Sequence, residues 1–337
     1  YLTDGKAGMS SGKSVTERLF SFFARANYSY QDKYMLSASI RHEGSSKFAA
    51  DNRWANFWSA TAGWRISNEE FMKDFDWLDD LKIRFGYGVT GNNDFSATYM
   101  ANMLGSDTNW MMPNGTWAYS YGKSQNVNPN LGWEEKKEWN LGVDYSFFEG
   151  RLYGKFDYYR REVDNLLFSV KVPQPPYTQG SQMQNIGSME SKGWEFEVGG
   201  DIIRTKDFTW SSSMNLSHNT GKILTLEGDN SYHNGNGFVA PGTPGDAARM
   251  EAGSTIGSFY MWKFAGFDDE GSFLLYNKDG EVIPAAQKTE NDKQYIGNYT
   301  PKLIIGWSHT LTYKNFDLGI NLRSWIDFDV FNTINMY

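Results

Sequence analysis

The stretch WNLGVDYSFFEGRLYGKFDYY, residues 139–159, decides the fold class of this chain. Apolar side chains occupy every second position from Trp139 to Phe147, and the alternation resumes after Glu149-Gly150. A period of two is typical of a β-strand with one apolar and one polar face, and Glu-Gly between two such runs indicates a tight turn. The stretch therefore predicts a β-hairpin. Periodicity alone leaves open whether the polar face meets bulk water, as in a soluble sheet, or a water-filled lumen, as in a membrane barrel.

The composition favours strands over helices. The 337 residues include 34 Gly, only 9 Pro, and 13 Trp, 20 Tyr and 23 Phe, which suits strands joined by glycine turns. No run approaches the roughly 18 apolar residues of a transmembrane helix. The sequence has no Cys, which excludes disulfides and thiolate metal sites within it. A net charge of −8 argues against nucleic acid as a partner, because nucleic-acid binding needs clustered Lys and Arg.

Strand-like segments recur along the chain with two kinds of connection. Every short turn follows an odd-numbered strand, and long polar connections fill 91–136, 165–187 and 220–302. This asymmetry is typical of outer-membrane barrels, which have short periplasmic turns and long extracellular loops. The count assumes that 220–302 is a single excursion or contains an even number of strands. The predicted strands are 17–30, 33–45, 56–66, 81–90, 137–147, 151–164, 188–202, 208–219, 303–313 and 316–327.

The two faces of these strands differ in character. The apolar parity covers about 9–11 residues, the length that a tilted membrane strand needs. Aromatic residues such as Tyr30, Phe147 and Tyr313 gather beside the short turns, where an interfacial girdle would lie. His309 interrupts the apolar parity, so we expect it to be neutral, near an interface or covered by a partner. The opposite parity carries charges of both signs, and the residues that we predict to line a lumen are Arg25, Arg84, Asn140, Asp144, Lys155, Asp157, Glu195, Glu197, Asn321 and Arg323.

Several short motifs resemble known binding loops but lack their context. GYGVTG at 86–91 matches GxGxxG yet ends a strand with no following helix, and GMSSGKS at 8–14 is one residue short of a phosphate-binding loop. DDEG at 268–271 lacks the register of a calcium loop, and NKDG at 277–280 is most simply a hairpin turn. The four His are scattered without metal-ligand spacing. We predict no catalytic residue, no cofactor and no metal site, and a metal at 268–281 stays undecided.

The long connection 91–136 contains a group of aromatic residues among Asn, Ser and Gly. Exposed aromatic rings of this kind stack on sugar rings or contact a partner protein. The alternative is that they pack the loop against itself or plug the mouth of the barrel. The candidate solute-binding residues are Trp110, Trp117, Tyr119 and Tyr121.

Five long stretches in a fixed order resemble one protein family. They are RLFSFFARANYSYQDKYMLSASIRHEGSSKF from residue 18, NRWANFWSATAGWRISNEEFMKDFDWLDDLKIRFGYGVTGN from 52, NPNLGWEEKKEWNLGVDYSFF from 128, NIGSMESKGWEFEV from 185 and YIGNYTPKLIIGWSHTLTYKNFDL from 295. From about residue 17 to the end, the sequence is similar to the SusC/RagA family of TonB-dependent transporters from the Bacteroidota.

The resemblance implies an all-β fold, namely an antiparallel transmembrane β-barrel of roughly 22 strands with a plugged lumen. About ten of these strands lie in this sequence. Residues 1–16 are expected to be a loop or strand end, and residues 17–337 to be part of one barrel domain. The plug and the N-terminal region that engages TonB are expected outside this sequence. The family also pairs with a SusD-like surface lipoprotein that caps the extracellular mouth, and a dimer of such pairs is a further expectation.

The predicted function is TonB-dependent import of a large nutrient across the outer membrane, with lipid around the barrel and no chemistry on the solute. An oligosaccharide is the first choice of solute and a peptide the second. Among glycans, an acidic mouth and aromatic loops suit neutral molecules better than polyanions. Two rivals come from other classes. One is a soluble carbohydrate-binding β-sandwich, which fits the same alternation. The other is an outer-membrane protease or lipase, which would need a converging Asp/His or Ser/His site.

Overall fold

The computed structural model describes residues 2–5, 8–11, 16–100, 104–226, 232–234 and 247–332. Its main feature is a ten-stranded antiparallel sheet in which each strand pairs with the next strand of the sheet along the chain. These are the ten strands predicted from the sequence, and the largest difference is at the eighth, which reaches Thr225 where 219 was predicted. The strands are β1 (Leu19–Tyr30), β2 (Tyr34–Ser45), β3 (Trp54–Arg65), β4 (Leu78–Asn92), β5 (Glu134–Phe147), β6 (Leu152–Asp164), β7 (Ser188–Arg204), β8 (Phe208–Thr225), β9 (Leu303–Tyr313) and β10 (Phe316–Ile326).

Short turns connect the strands at one end of the sheet. Gln31 and Asp32, between β1 and β2, have φ values of 50° and 52°, the left-handed conformation common in tight hairpin turns. The turn after β5 has positive φ at Phe148, Glu149 and Gly150, so it begins one residue before the predicted Glu-Gly pair. The longer β3–β4 connection contains the 3-10 helices Ile66–Asn68 and Glu70–Met72.

Long connections at the other end contain small sheets of their own. Their 3-10 helices are Ala50–Asn52, Ala97–Met100, Ala285–Gln287 and Glu290–Asp292. Hairpins pair Leu104–Met111 with Trp117–Lys123, Leu167–Lys171 with Ser181–Asn185, and Tyr232–Asn234 with Arg249–Glu251; a four-stranded sheet has the order Val282–Pro284, Phe273–Tyr276, Ser258–Phe267, Lys293–Asn298. None of these strands joins the main sheet. In its described residues, the connection between β8 and β9 adds no strand to the main sheet, as the strand count required.

Two further observations concern the chain outside the main sheet. Leu2–Gly5 and Gly8–Ser11 form a hairpin within the segment that was expected to be a loop or strand end. Among the described residues, no helix has the length and apolar character needed to cross a membrane.

The pairing register keeps the apolar parity on one face across the sheet. One row of this face runs from β2 to β7 through Leu36, Ala62, Phe85, Leu141, Tyr158 and Trp194. Its large side chains are not covered, since Leu36 is 53% exposed and Phe85 is 49% exposed. An apolar face of this extent marks a surface that contacts something other than water.

The main buried cluster lies where β3 and β4 separate. Their ladder stops at Ser59–Gly88, whereas β4 continues to pair with β5 as far as Asn92. Trp133 donates a hydrogen bond from Nε1 to the Arg53 carbonyl oxygen at 3.1 Å. The cluster thereby fastens the connections 46–53 and 93–133 to the strand ends. Its members are Phe48, Phe57, Val89, Phe95, Leu131 and Trp133.

Candidate functional site

Arg84 on β4 organises the most connected ion-pair cluster on the polar face of the sheet. Its guanidinium donates two hydrogen bonds to the Asp144 carboxylate, from Nε at 2.7 Å and from Nη2 at 2.8 Å. The same Nη2 lies 3.2 Å from Asp157 Oδ1. Gly142 is paired with both Arg84 and Asp157, and a Cβ on Gly142 would lie 2.7 Å from Arg84 Cζ. The missing side chain leaves the space through which Arg84 bridges the two carboxylates.

Further ion pairs occupy the same face. Lys155 Nζ lies 3.2 Å from Glu197 Oε2. Glu138 accepts a hydrogen bond from Arg161 Nε at 2.8 Å and lies 3.2 Å from Lys136 Nζ. Arg161 and Lys136 were not singled out from the sequence, although their position on the polar parity of β6 and β5 was a usable signal. Most charges at the centre of this face therefore meet an opposite charge, which makes the wall polar and locally balanced.

All ten residues predicted to line a lumen lie on this polar face, but they do not form one site. Arg84, Asp144 and Asp157 form one cluster and Lys155 and Glu197 another. The remaining five are spread over the sheet. Arg25 lies over the Phe23 ring, and Arg323 lies over the Trp325 ring. In the strand register, Asn140 is opposite Gly86 and Tyr159, Asn321 is opposite Ser308, and Glu195 is opposite Asp157 and Ser217. Their role as the lining of a passage stays a prediction.

Asparagine side chains bind two of the long connections together. Asn126 is 7% exposed and donates from Nδ2 to the carbonyl oxygens of Gln179 at 2.7 Å and Ser181 at 2.9 Å. Asn185 accepts from the Gly132 amide at 2.7 Å and donates back to the Gly132 carbonyl at 2.9 Å. Segment 124–133 is thus held along the hairpin of the next connection. Asn126 and Asn185 are therefore structural in this arrangement.

The aromatic candidates lie on the hairpin of connection 93–133. Trp117 is 67% exposed and pairs with Met111 across the hairpin, so its ring is available to a solute or partner. The side chains of Trp110, Tyr119 and Tyr121 lie outside the described part of the chain. Whether all four act together stays a prediction.

The candidate metal and nucleotide motifs are turns and strands. GYGVTG lies within β4, which continues to Asn92 and is followed by no α-helix. In DDEG, Asp268 Oδ1 accepts hydrogen bonds from the amides of Glu270 at 3.0 Å and Ser272 at 2.7 Å. NKDG is the predicted hairpin turn, with Gly280 at a φ of 84°. No group of three or more His, Asp or Glu suited to a metal occurs in the described ranges, and residues 12–14 of GMSSGKS lie outside them.

His309 on the apolar face is held between two indoles. Its Nδ1 accepts a hydrogen bond from Trp210 Nε1 at 3.3 Å, and its ring centroid lies 4.5 Å from that of Trp307. The histidine is therefore covered on the apolar face by neighbouring side chains.

Glu69 and Asp292, which lie outside the main strands, have lowered pKa values. Glu69 accepts hydrogen bonds from the Tyr34 hydroxyl at 2.6 Å, Trp64 Nε1 at 3.0 Å and Lys33 Nζ at 3.1 Å, and these donors lower its pKa to about 2. Asp292 accepts from the Thr289 hydroxyl and amide, which lowers its pKa. Glu69 ties the first two short turns of the sheet together, and Asp292 fixes a turn of the long β8–β9 connection.

Comparison with known proteins gives consistent matches. The family described as TonB dependent receptor-like, beta-barrel matches residues 2–327. The TonB-dependent receptor SusC of Bacteroides thetaiotaomicron is 34% identical over 333 residues, covering 95% of this chain and 32% of SusC. TonB-dependent receptor P3 of Formosa agariphila is 32% identical over 357 residues, covering 98% of this chain and 34% of that receptor. The solved structure of the RagAB peptide transporter superposes with a TM-score of 0.78 at 27% identity, over 91% of this chain and 33% of that chain.

These matches settle the choice between a soluble sheet and a membrane barrel. The chain spans about a third of the length of the relatives that it matches. Within that third, the ten-stranded sheet, the exposed apolar face and the family match agree, and the soluble β-sandwich is excluded. The chain belongs to the TonB-dependent receptor-like β-barrel family, in its SusC/RagA branch, and is part of an outer-membrane barrel.

Proposed function

We propose that this chain forms part of the wall of a passage for TonB-dependent import of a large nutrient. The observation that carries the proposal is the division of the sheet into an exposed apolar face and a face of two-signed, mutually paired charges. Lipid fits the first face, and water with a polar solute fits the second. Transport requires no chemistry on the solute, so the wall needs polarity and width but no reactive side chain.

The remaining parts of the transporter lie beyond these ten strands in this proposal. β1 and β10 each pair on one side only within the described sheet, and a membrane does not tolerate unpaired strand edges. Further strands of the barrel would therefore pair with both edges. The plug, and the region that TonB engages, would lie in the two thirds of the relatives' length that this chain does not match. A SusD-like surface lipoprotein would close the mouth over the long connections, and two such pairs would form a dimer.

We propose an oligosaccharide as the solute. The net charge of −8, the exposed Trp117 and the balanced ion pairs of the wall all suit a neutral, hydroxyl-rich molecule better than a polyanion. A peptide is the second candidate, and the similarity to the RagAB peptide transporter favours it. Both solutes require the same barrel and lid.

The test uses the full-length protein in its native cell. Deletion of the gene should abolish growth on one class of solute, either a glycan or a peptide mixture supplied as the sole carbon source, and the full-length gene should restore it. Calorimetry of the adjoining lipoprotein against glycan and peptide panels identifies the solute independently. Unimpaired growth of the deletion strain on every solute that the lipoprotein binds would contradict the transport proposal.

A further inference from the structure

A groove opens on the apolar face of the sheet, close to the short turns. Its floor is made by two small residues, Gly200 on β7 and Ser212 on β8, which are directly paired. Leu152, Met214 and Trp307 form its walls, and its volume is about 550 Å³. This volume is in the range of roughly 300–1,000 Å³ that is usual for small-molecule sites. Gly200 is also paired with Leu152, the first residue of β6, which places the groove at the turn end of the strands.

The groove is a consequence of the sequence on these strands and not of a break in the sheet. Gly200 and Ser212 leave a hollow two strands wide between the larger side chains of Leu152, Met214 and Trp307. Ser212 Oγ accepts a hydrogen bond from Trp307 Nε1 at 2.9 Å, so the polar atoms at the floor satisfy each other. A register shift between Asp201 and Ile203 adds an extra residue at the turn end, where Ile202 is 51% exposed. The lining is therefore mostly apolar, and its charged members are Arg151 and Asp201. The Asp201 carboxylate accepts a hydrogen bond from Ser211 Oγ at 2.7 Å and lies 3.7 Å from Arg204 Nη1.

A cation lies at the turn end of this groove. Arg151 lines the groove, is exposed, and forms no ion pair within the described parts of the chain. Lys206 and Lys314 lie on the neighbouring short turns and are also exposed. Short turns of outer-membrane barrels face the periplasm, so these cations lie at the level of the lipid headgroups in the periplasmic leaflet of the outer membrane.

We propose that the groove binds one acyl chain of an anionic glycerophospholipid from the periplasmic leaflet, with Arg151 contacting the headgroup phosphate. The groove is on the face that contacts lipid, and an apolar hollow left empty there would forfeit its dispersion contacts. A cation beside an anionic headgroup is favourable at a membrane surface. The inference rests on the placement of the chain in an outer-membrane barrel and is independent of what the barrel transports.

The test is photo-crosslinking of the full-length protein in nanodiscs. The discs contain phosphatidylcholine with either phosphatidylglycerol or phosphatidylcholine that carries a diazirine near the middle of one acyl chain, and the label is mapped by mass spectrometry. We expect labelling by the phosphatidylglycerol probe to concentrate on segments 198–202 and 212–214. Ser212→Leu fills the floor, and Leu152→Phe narrows the wall without removing the Trp307 hydrogen-bond acceptor. Both variants should lose this concentration of label.

Two further variants separate a specific site from general lipid contact. Leu318→Phe, on the same face but outside the groove, should leave the labelling pattern unchanged. Arg151→Gln should reduce the preference for the phosphatidylglycerol probe about fivefold, the effect usual for one basic residue at an anionic lipid surface. Label spread evenly over the apolar face of the unmodified protein, or equal labelling by the two probes, would overturn the proposal. So would unchanged labelling in both groove variants, or crosslinks to a second protein at the groove.

Discussion

At the scale of single residues, the charged face depends on the absence of a side chain at Gly142. Arg84 contacts Asp144 on the adjoining strand and Asp157 on the strand beyond it, and the second contact passes over Gly142. A lone exposed ion pair contributes little to stability, but a guanidinium that bridges two carboxylates in a fixed geometry is more valuable. The glycine is therefore required by a close approach and not by a turn.

Gly142→Ala should destabilise the barrel. The added Cβ would lie 2.6 Å from Asp157 Oδ1 and 2.7 Å from Arg84 Cζ, so these side-chain ends must move and the bridge between the two carboxylates weakens, at a cost of about 1 kcal/mol in the free energy of unfolding. Urea unfolding of the full-length protein in lipid vesicles measures this cost. The matched control is Gly86→Ala on the same face, where the nearest atom, Thr61 Cγ2, would be in ordinary contact at 3.4 Å. Equal stability of the two variants would contradict the account of Gly142.

Glu69→Gln should lower the thermal stability of the barrel at neutral pH, in a pH-dependent way. The pKa of Glu69 is lowered from 4.5 to about 2, chiefly by the Tyr34 hydrogen bond, so its carboxylate stabilises the folded state above the unfolded pKa and loses that effect as pH falls towards 2. The melting temperatures of the unmodified protein and the variant should therefore differ at pH 7 and converge between about pH 5 and pH 2. Heat-dependent migration on gels measures the melting temperature of each protein at each pH.

The control for this pH profile is Glu149→Gln. Glu149 lies on another short turn, and its carboxylate forms no hydrogen bond or ion pair within the described ranges. This variant should follow the unmodified protein at every pH. A constant difference between Glu69→Gln and the unmodified protein down to pH 2 would contradict the assignment.

The face of each residue was predictable at this scale, but its partners were not. Alternation placed Arg84, Asp144 and Asp157 on one side of the sheet because the period of a strand is two. Their contact depends on the register of three strands, because Asp144 is 60 residues and Asp157 is 73 residues from Arg84 in sequence. His309 shows the same limit, since its hydrogen-bond donor, Trp210, is 99 residues away.

At the scale of elements, the long connections are ordered by asparagine side chains as well as by their small hairpins. Asn126 bonds to the backbone of 179–181 through both atoms of its amide, and the Thr178 hydroxyl donates to its Oδ1 at 3.1 Å. An amide side chain can replace a missing strand neighbour because it has a donor and an acceptor side by side. Connections from different hairpins are thus joined without a continuous sheet.

Asn126→Ala should loosen the connection between β6 and β7. The change removes the hydrogen bonds to the carbonyl oxygens of Gln179 and Ser181 and from the Gln179 amide. A net cost of about 1.4 kcal/mol for these bonds raises the population of the open loop about tenfold. Cleavage of segment 172–180 by a protease added to intact cells should accelerate by a similar factor. Asn130→Ala is the control, because Asn130 is exposed and its side chain makes no hydrogen bond in the described structure. Equal cleavage rates in the two variants would show that Asn126 does not hold the loop.

The strands themselves were predictable, and the separation of β3 from β4 was not. Alternating patterns and turn residues located all ten strands, because both signals are local. Phe57 falls on the polar parity of β3, yet it is buried against Gly91, where a Cβ would lie 2.0 Å from its ring. An aromatic residue that packs against a glycine of another strand gives no local signal. The cluster around Trp133 therefore appeared only with the three-dimensional arrangement.

At the scale of the whole molecule, the two faces and the two ends of the sheet together determine its orientation. The apolar face defines the side that contacts lipid, and the contrast between short turns and long connections defines the periplasmic and extracellular ends. The proposed lid and solute contacts depend on the second assignment. The proposed phospholipid site depends on both, because the groove lies on the apolar face beside the short turns.

Single cysteines test this orientation directly. The sequence contains no Cys, so Lys278→Cys in the NKDG turn and Glu149→Cys in the turn after β5 each introduce one thiol in a full-length background without other cysteines. A maleimide that does not cross the outer membrane should label Lys278→Cys in intact cells, and should label Glu149→Cys only after the outer membrane is permeabilised. Both positions are exposed in the folded chain, so burial does not protect either thiol. If only Glu149→Cys were labelled in intact cells, the short turns would be extracellular and the assigned orientation would be wrong. The long connections would then face the periplasm, and a surface lid over them would have no basis.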